Sequence, residues 1–157
     1  MKLIIGSDFA GFQLKEEIKQ YLLQNGHQVE DLGQLEEEGM TPYFKVAAAV
    51  AKRLQEKTAD KAILVCGTGA GMCIVANKFK GVYAVACESI YTARKTSIVN
   101  DANVLALGGR VVGGNHAVEM VESWLPLNFL EGFPAERHQF LTDALASVRA
   151  IEDENFK

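Results

Sequence analysis

The sequence predicts an α/β fold, a three-layer sandwich in which a five-stranded, mostly parallel, Rossmann-like sheet lies between helices. Short runs of β-branched and apolar residues alternate regularly with apolar residues at helical spacing, which is typical of repeated strand–helix units. The run Lys61–Cys66 is almost continuously apolar, as expected for a strand covered by helices on both faces. The length of 157 residues and the 48% of hydrophobic residues suit one sizeable core. We therefore expect a single domain over residues 1–157.

Five strand–helix units and a terminal helix account for the chain in order. Asn25-Gly26 ends the first helix and Pro42 begins the second, since glycine and proline favour these boundaries. Strands are predicted at Lys2–Gly6, Gln28–Leu32, Lys61–Cys66, Val82–Cys87 and Val104–Leu107. Helices are predicted at Phe12–Leu23, Pro42–Glu56, a short stretch through Ile74–Ala76, Ile90–Ile98, Asn115–Leu125 and the terminal stretch 133–156, and Glu36–Glu38 is predicted to be a solvated loop. We expect the terminal helix to pack on a partner subunit.

The charge balance argues against two large classes of partner. Sixteen lysines and arginines against twenty acidic residues give a net charge of −4 and a pI near 5.4, so the chain lacks the basic excess that nucleic acid or anionic membrane binding normally needs. The longest uncharged run, Ala62–Asn77, contains three glycines and is too short to span a bilayer. No signal-peptide pattern is seen at the amino terminus. We expect a cytoplasmic protein without nucleic acid or membrane partners.

The three cysteines do not form a metal or disulfide pattern. Cys66, Cys73 and Cys87 lack the CxxC and Cys/His spacings of zinc sites, and an odd, sparse set argues against a disulfide framework. We expect free thiols and no metal site.

A glycine-rich loop follows the buried third strand at the edge of the sheet where ligands of parallel sheets bind. The segment Gly67–Gly71 allows several amide N–H groups to converge on one point, which makes an anion site. Its GxGxG spacing matches neither the Walker A pattern nor the dinucleotide fingerprint GxGxxG. The amides could instead hold an oxyanion formed during a reaction, with Cys66 as base or nucleophile. The structural alternative is that Cys66 is simply a small buried residue.

Several segments together resemble one family, that of ribose-5-phosphate isomerase B, which includes the two subunits of galactose-6-phosphate isomerase. The resemblance covers essentially the whole chain, in order. It is carried by Gly6-Ser7-Asp8-x-Ala10-Gly11, Cys66-Gly67-Thr68-Gly69-Ala70-Gly71-Met72, Ala76-Asn77-Lys78, Tyr91-Thr92-Ala93-Arg94, Asn100-Asp101-Ala102-Asn103-Val104-Leu105, Gly108-Gly109-Arg110-Val111-Val112-Gly113 and Arg137-His138-Gln139.

The resemblance implies an aldose–ketose isomerase, free of metal and cofactor, that acts on a phosphorylated sugar through a cis-enediolate. Cys66 would move the proton between C1 and C2, and Thr68 would assist at a sugar oxygen. The family's sites form between two subunits, so a homodimer or a dimer of dimers is implied. The remaining implied site residues are Gly67, Gly69, Ala70 and Gly71 for the oxyanion hole, Asp8 and Asn100 for sugar hydroxyls, and Arg110 and Arg137 for the phosphate. Asp8 has the structural alternative of a helix cap, and the two arginines that of ordinary surface charges.

Four polar site positions of the family have changed in this chain. Phe9 stands where the family commonly has histidine, and Thr41 where it has a substrate-contacting tyrosine, with Tyr43 displaced past the proline. Val99 replaces the histidine that opens the sugar ring, and Leu141 replaces a second phosphate arginine. Two extra residues also separate Gly132 from Arg137 when compared with the family pattern.

These departures leave four hypotheses open. A four-carbon sugar phosphorylated at its terminal oxygen cannot close a five-membered ring, so erythrose or erythrulose 4-phosphate would not need the missing histidine. A hexose phosphate fits the similarity to the galactose-6-phosphate isomerase subunits, and a pentose phosphate is the substrate that the family name implies. From a different class, the chain could be an incomplete subunit, or a phosphosugar-binding protein, that works only with a paralogous partner.

Overall fold

The computed structural model describes residues 1–36 and 39–156, and within them it forms one five-stranded sheet flanked by helices. All four strand pairings are parallel, in the order β2-β1-β3-β5-β4. The strands are β1 (Lys2–Ser7), β2 (Gln28–Asp31), β3 (Lys61–Cys66), β4 (Ala84–Ala86) and β5 (Val104–Gly108). The helices are α1 (Phe12–Gln24), α2 (Tyr43–Gln55), α3 (Ala70–Ala76), α4 (Ile90–Asn100), α5 (Gly114–Trp124) and α6 (Ala135–Asn155), with a 3-10 turn at Phe9–Gly11. The predicted α/β fold is confirmed.

The fourth strand is shorter than predicted. The sequence predicts Val82–Cys87, but β4 begins only at Ala84, because Val82 still bonds into the preceding turn at Phe79 and the Tyr83 amide donates to the Asn103 side chain. The predicted loop at Glu36–Glu38 falls mostly outside the described residues. No helix of the described chain is long and apolar enough to cross a membrane.

The sheet separates two hydrophobic cores, because successive strand residues point to opposite faces. In β3, Ile63 and Val65 pack with α1 and α5, whereas Ala62 and Leu64 pack with α2 and α3. Every residue of β3 after Lys61 is buried. Full burial of each large aliphatic side chain contributes about 1.5–3 kcal/mol, so this strand is the centre of the fold.

The strand order places a crevice at the carboxyl ends of β1 and β3. The strands are neighbours in the sheet, yet α1 covers one face while α2 and α3 cover the other. Loops that leave neighbouring strands toward opposite faces open a gap between them, and ligands of α/β sheets bind there. The Asp8 amide donates to the Val65 carbonyl at 3.3 Å, which holds the two strand ends together.

Lys61 lies at the amino edge of the sheet, opposite the crevice, and connects this edge to the end of α5. Its Nζ lies 4.5 Å from the centre of the Trp124 ring and donates to the Ser97 hydroxyl at 3.0 Å and to the Leu127 carbonyl at 2.8 Å. It also reaches the carbonyls of Trp124 and Leu125, which a helix end leaves without partners. Burial lowers the pKa of Lys61 to about 8.

A second lysine, which is fully buried, joins α1 to the end of β2. The Lys15 side chain is fully buried, and its Nζ lies 2.6 Å from Asp31 Oδ2. Lys19 also contacts this oxygen, and the Gly33 amide donates to Oδ1. Although burial by itself raises the pKa of Asp31, these bonds outweigh it and hold the pKa below its ordinary value.

We expect Asp31→Asn to lower the free energy of unfolding by about 3 kcal/mol at pH 7, because it leaves the Lys15 ammonium buried without its nearest carboxylate. A lowered pKa in the folded state adds stability above the ordinary carboxylate pKa, and this stability is lost as the pH falls through the folded value. The difference between wild type and variant should therefore narrow below about pH 4. Urea denaturation from pH 3 to pH 7 measures it, and a constant difference would contradict the prediction.

Candidate active site

Three loops from the carboxyl edge of the sheet meet around Cys66. The turn after β1 carries Asp8, the loop after β3 carries the glycines, and the loop after β5 carries Arg110. The Gly109 amide donates to the Cys66 carbonyl at 2.7 Å, and the Arg110 amide donates to the Gly67 carbonyl at 3.1 Å. The structure thus brings together the predicted residues of these three loops.

The Cys66 thiol lies under the glycine loop. Cys66 is buried, and its Sγ accepts a hydrogen bond from the Gly69 amide at 3.1 Å. Gly69 has a φ of +79° and is the residue that precedes α3. A side chain there would be strained, and its Cβ would meet the β5 backbone at 3.1 Å. The loop therefore aims an N–H group at the sulfur, a contact that stabilises negative charge on it.

The glycine loop runs directly into the first turn of α3, whose amides can bind an oxyanion. Helix α3 begins at Ala70, and the first amides of a helix have no partner within it. The Ala70 amide has a long contact of 3.4 Å with the Thr68 hydroxyl, which is exposed at the rim. The loop is therefore arranged as an anion-binding turn next to a thiol.

Asp8 caps the short 3-10 turn that follows it. Its Oδ1 accepts from the Gly11 amide at 3.0 Å, which is the structural alternative that the sequence offered. The carboxylate is half-buried and lies beside the loop after β3, because the Asp8 amide bonds to Val65. Capping occupies one carboxylate oxygen, so a ligand contact through the other is compatible with it.

Tyr43 lies at the site although the sequence suggested that it is displaced. A Cβ added to Gly71 would lie 2.9 Å from Cε2 of Tyr43, so the tyrosine ring lies directly against Gly71. The ring also packs edge-to-face on Phe44, with the ring centres 5.6 Å apart. In the sequence, the indication of a role for Tyr43 was its place at the start of a helix that proline begins. Only the packing of α2 on α3 shows which residue its ring contacts.

A cavity of about 310 Å³ opens between the turn after β1 and the loop after β5. Phe9, Phe12, Gln13 and Gly109 line it together with Arg110. Among the described residues, no carboxylate pairs with Arg110. An arginine without an internal partner suits an anionic group with two parallel oxygen contacts.

Asn100 and Arg137 do not join this cluster within one chain. Asn100 ends α4, and eleven residues at 1.5 Å each carry it about 16 Å back from the carboxyl edge of the sheet. Near it, the Asn103 carbonyl bonds to Ala62 at the start of β3, whereas Cys66 ends that strand. Arg137 lies in the exposed first turn of α6.

An apolar groove of about 380 Å³ lies beside Asn100, between α6 and the β4 side of the sheet. Val99 and Leu141, two of the changed positions, both line it. The Phe140 side chain at its rim is 72% exposed. Val99 and Leu141, which stand where the family has polar residues, therefore form part of an apolar surface at this end of the molecule.

The other two thiols have no place in the site. Burial raises the pKa of Cys87 to about 11 and also raises the pKa of Cys73, whose Sγ donates to the Ala84 carbonyl. Within residues 1–36 and 39–156, no group of three or more His, Cys, Asp or Glu side chains could hold a metal ion.

Comparison with known proteins agrees with the fold. The family described as Ribose/Galactose Isomerase matches residues 3–143. The chain belongs to this family and is an isomerase.

Among its relatives is the 4-deoxy-4-sulfo-D-erythrose isomerase of Clostridium sp. (strain MSTE9), 46% identical over the whole chain and 99% of that protein. The D-erythrulose-4-phosphate isomerase 2 of Mycolicibacterium smegmatis is 40% identical over 82% of the chain and 86% of that protein. The ribose-5-phosphate isomerase B structure from Clostridium thermocellum superposes with a TM-score of 0.89 at 37% identity, covering 99% of both chains. The resemblance found in the sequence is confirmed.

We expect Gly69→Ala to cost about 2 kcal/mol of stability, because alanine is strained at this positive φ and its Cβ meets backbone. Gly67→Ala is the matched control, since its Cβ would make only ordinary contacts at 3.6 and 3.8 Å. Denaturant unfolding of both variants measures the difference. Equal stability of the two would show that the left-handed turn at Gly69 is not required.

Proposed function

We propose that this protein interconverts the aldose and ketose forms of a four-carbon sugar with an anionic terminal group, with 4-deoxy-4-sulfo-D-erythrose as the first candidate substrate. The main support is the similarity over the whole chain to the Clostridium isomerase of that name. The second candidate is erythrose or erythrulose 4-phosphate, supported by the Mycolicibacterium relative. Both substrates are short, open-chain and anionic.

In the proposed mechanism, the Cys66 thiolate removes the proton from C2 of the aldose, and the electrons of that bond form the C1–C2 double bond of a cis-enediolate. The loop amides of residues 67–71 stabilise the oxyanion, a contribution worth several kcal/mol in enzymes. Cys66 then returns the proton to C1, while the hydroxyl proton moves from O2 to O1 with assistance from Thr68. Oxidation at C2 balances reduction at C1, so the reaction needs no external electron acceptor.

The length of the substrate follows from the absence of a ring-opening group at position 99. A furanose forms when the oxygen on C4 attacks the aldehyde carbon, and a tetrose substituted at C4 by sulfonate, or at O4 by phosphate, has no such free hydroxyl. The Val99 side chain cannot transfer a proton. A substrate that never closes a ring does not need a proton-transferring side chain at position 99.

The anionic end of the substrate is assigned to Arg110. Arg110 lines the 310 Å³ cavity together with Phe9, the residue after Asp8, and its guanidinium can make two parallel contacts with a tetrahedral anion. Sulfonate and phosphate share this geometry. They differ in charge, because a phosphate monoester carries about −1.5 to −2 at neutral pH, whereas a sulfonate carries one negative charge.

We further propose that the site is completed by a second copy of the chain, or by a paralogous subunit. Asn100 and Arg137 lie away from Cys66 within one chain, so they can contribute to its site only from a neighbour. The apolar groove beside Asn100 and the exposed face of α6, with Phe140, Val148 and Ile151, supply a surface that a second copy would cover. This arrangement also keeps open the alternative of an incomplete subunit that needs a different partner.

We expect the purified protein to isomerise 4-deoxy-4-sulfo-D-erythrose, and Cys66→Ala to reduce kcat by about a thousandfold or more, because the base is lost. Cys73→Ala is the matched control and should keep its activity. The assay compares aldose and ketose pairs of four, five and six carbons by product analysis. Equal turnover of pentose and tetrose would contradict the assignment of chain length, and activity in Cys66→Ala would contradict the thiol base.

We expect mixed dimers of Cys66→Ala and Arg137→Ala chains to recover activity that neither variant has alone. Half of the dimers formed at equal mixing are mixed, and each has one intact site, so about a quarter of the wild-type activity should return. The matched control mixes Cys66→Ala with Arg110→Ala. These residues lie in the same chain's cluster, so no activity should return. Lack of recovery in the first mixture would place each site within one chain or require a different partner.

A further inference from the structure

The segment between β2 and α2 contacts the active site at both of its ends. At its start, Gly33 packs directly against the backbone of Ser7, and the Gln34 amide donates to the Ser7 carbonyl at 2.7 Å. Ser7 immediately precedes Asp8. At its end, Tyr43 covers Gly71 of the glycine loop. The position of this segment therefore influences both walls of the site.

Gln34 bonds to two other described residues of this segment, Glu36 and Thr41. Its side-chain oxygen accepts from the Thr41 amide at 2.9 Å, and its side-chain nitrogen donates to the Glu36 carbonyl at 2.8 Å. The residue is only 2% exposed. Because one side chain bonds to both sides of the loop, it sets where Pro42 and the start of α2 lie.

Lys15 anchors this loop to α1. Its Nζ donates to the Gln34 carbonyl as well as to Asp31, and the side chain is fully buried. The ammonium also lies 5.1 Å from the centre of the Phe12 ring. Buried charges of this kind add little stability over a well-packed apolar group, but they can select one arrangement of the chain.

We propose that Lys15 and Gln34 are positioning residues that hold the Tyr43 ring over the glycine loop and keep its oxyanion donors shielded from water. This inference depends on the proposed function in one respect, because it takes the glycine loop as the oxyanion hole. Preorganised donors are most effective where water is excluded, and the ring covers the Gly71 side of the loop. Release of the ring would therefore lower kcat more than it raises KM.

The test is a double-mutant cycle between Gln34→Leu and Tyr43→Ala. We expect Gln34→Leu to lower kcat by about tenfold to a hundredfold, the scale of a small misplacement of catalytic groups. In the Tyr43→Ala background the same change should have less than about a twofold effect, because residues that act through one another are not additive. Lys15→Met, measured in the same cycle, replaces Gln34→Leu if that variant does not fold.

Lys61→Met is the matched control, because it removes a half-buried lysine at the opposite edge of the sheet. It should lower the melting temperature while kcat stays within about twofold of wild type, since it does not contact the site loops. The proposal is overturned if Lys61→Met loses as much kcat as Gln34→Leu, or if folded Gln34→Leu keeps the wild-type kcat. It is also overturned if Gln34→Leu has its full effect on kcat in the Tyr43→Ala background.

A readout independent of turnover separates this proposal from the proposed function. The rate of alkylation of Cys66 by iodoacetamide, followed by mass spectrometry, reports how well the loop covers the thiol. We expect the rate to rise about tenfold in Gln34→Leu and to stay unchanged in Lys61→Met, consistent with local opening rather than global unfolding. If the wild type turns over none of the sugars, the proposed function fails, and these rates still decide whether the loop is positioned as we propose. Equal rates in wild type and Gln34→Leu would overturn it.

Discussion

The parallel pairing of β3 with β1 on one side and β5 on the other determines the rest of this molecule. The register places Ser7 beside Val65 and Cys66 beside Gly108, so three loops leave the sheet at one edge and meet around one thiol. A shift of one residue would turn Cys66 to the other face of the sheet. The side chains of β3 alternate between two different cores, with Ile63 and Val65 in one and Ala62 and Leu64 in the other. This alternation prevents the shift.

The chemistry at this edge depends mainly on backbone groups. The Gly69 amide faces the sulfur of Cys66, and neighbouring amides are available to an oxyanion because α3 begins there. Gly69 requires a left-handed backbone and Gly71 lies directly under the Tyr43 ring, so larger residues do not fit at either position. The side chains that differ from the family pattern lie around these backbone groups: Phe9 lines the cavity beside Arg110, and Val99 and Leu141 line the apolar groove. The same thiol and loop can therefore be combined with different side chains around them.

The two ends of the molecule carry complementary halves of the proposed site. The carboxyl edge holds the thiol, the loop and Arg110, whereas Asn100, Arg137 and the apolar face of α6 lie elsewhere on the chain. Helix α6 is attached through Leu141 and Leu145 and through the bond between Tyr83 and Glu152, while much of its apolar surface faces outward. A second copy is the simplest way for both halves to act on one substrate.

The amino-acid sequence by itself determined the alternation of strands and helices, the buried third strand and the glycine loop after Cys66, because these depend on local periodicity and on residues adjacent in the chain. It also carried the family resemblance. It could not show that Tyr43 covers Gly71, that Gln34 and Lys15 form a buried network, or that Asn100 lies at the opposite edge from Cys66. Those facts depend on strand order and helix packing, which bring together or separate residues far apart in the chain. Only the tertiary structure decided them.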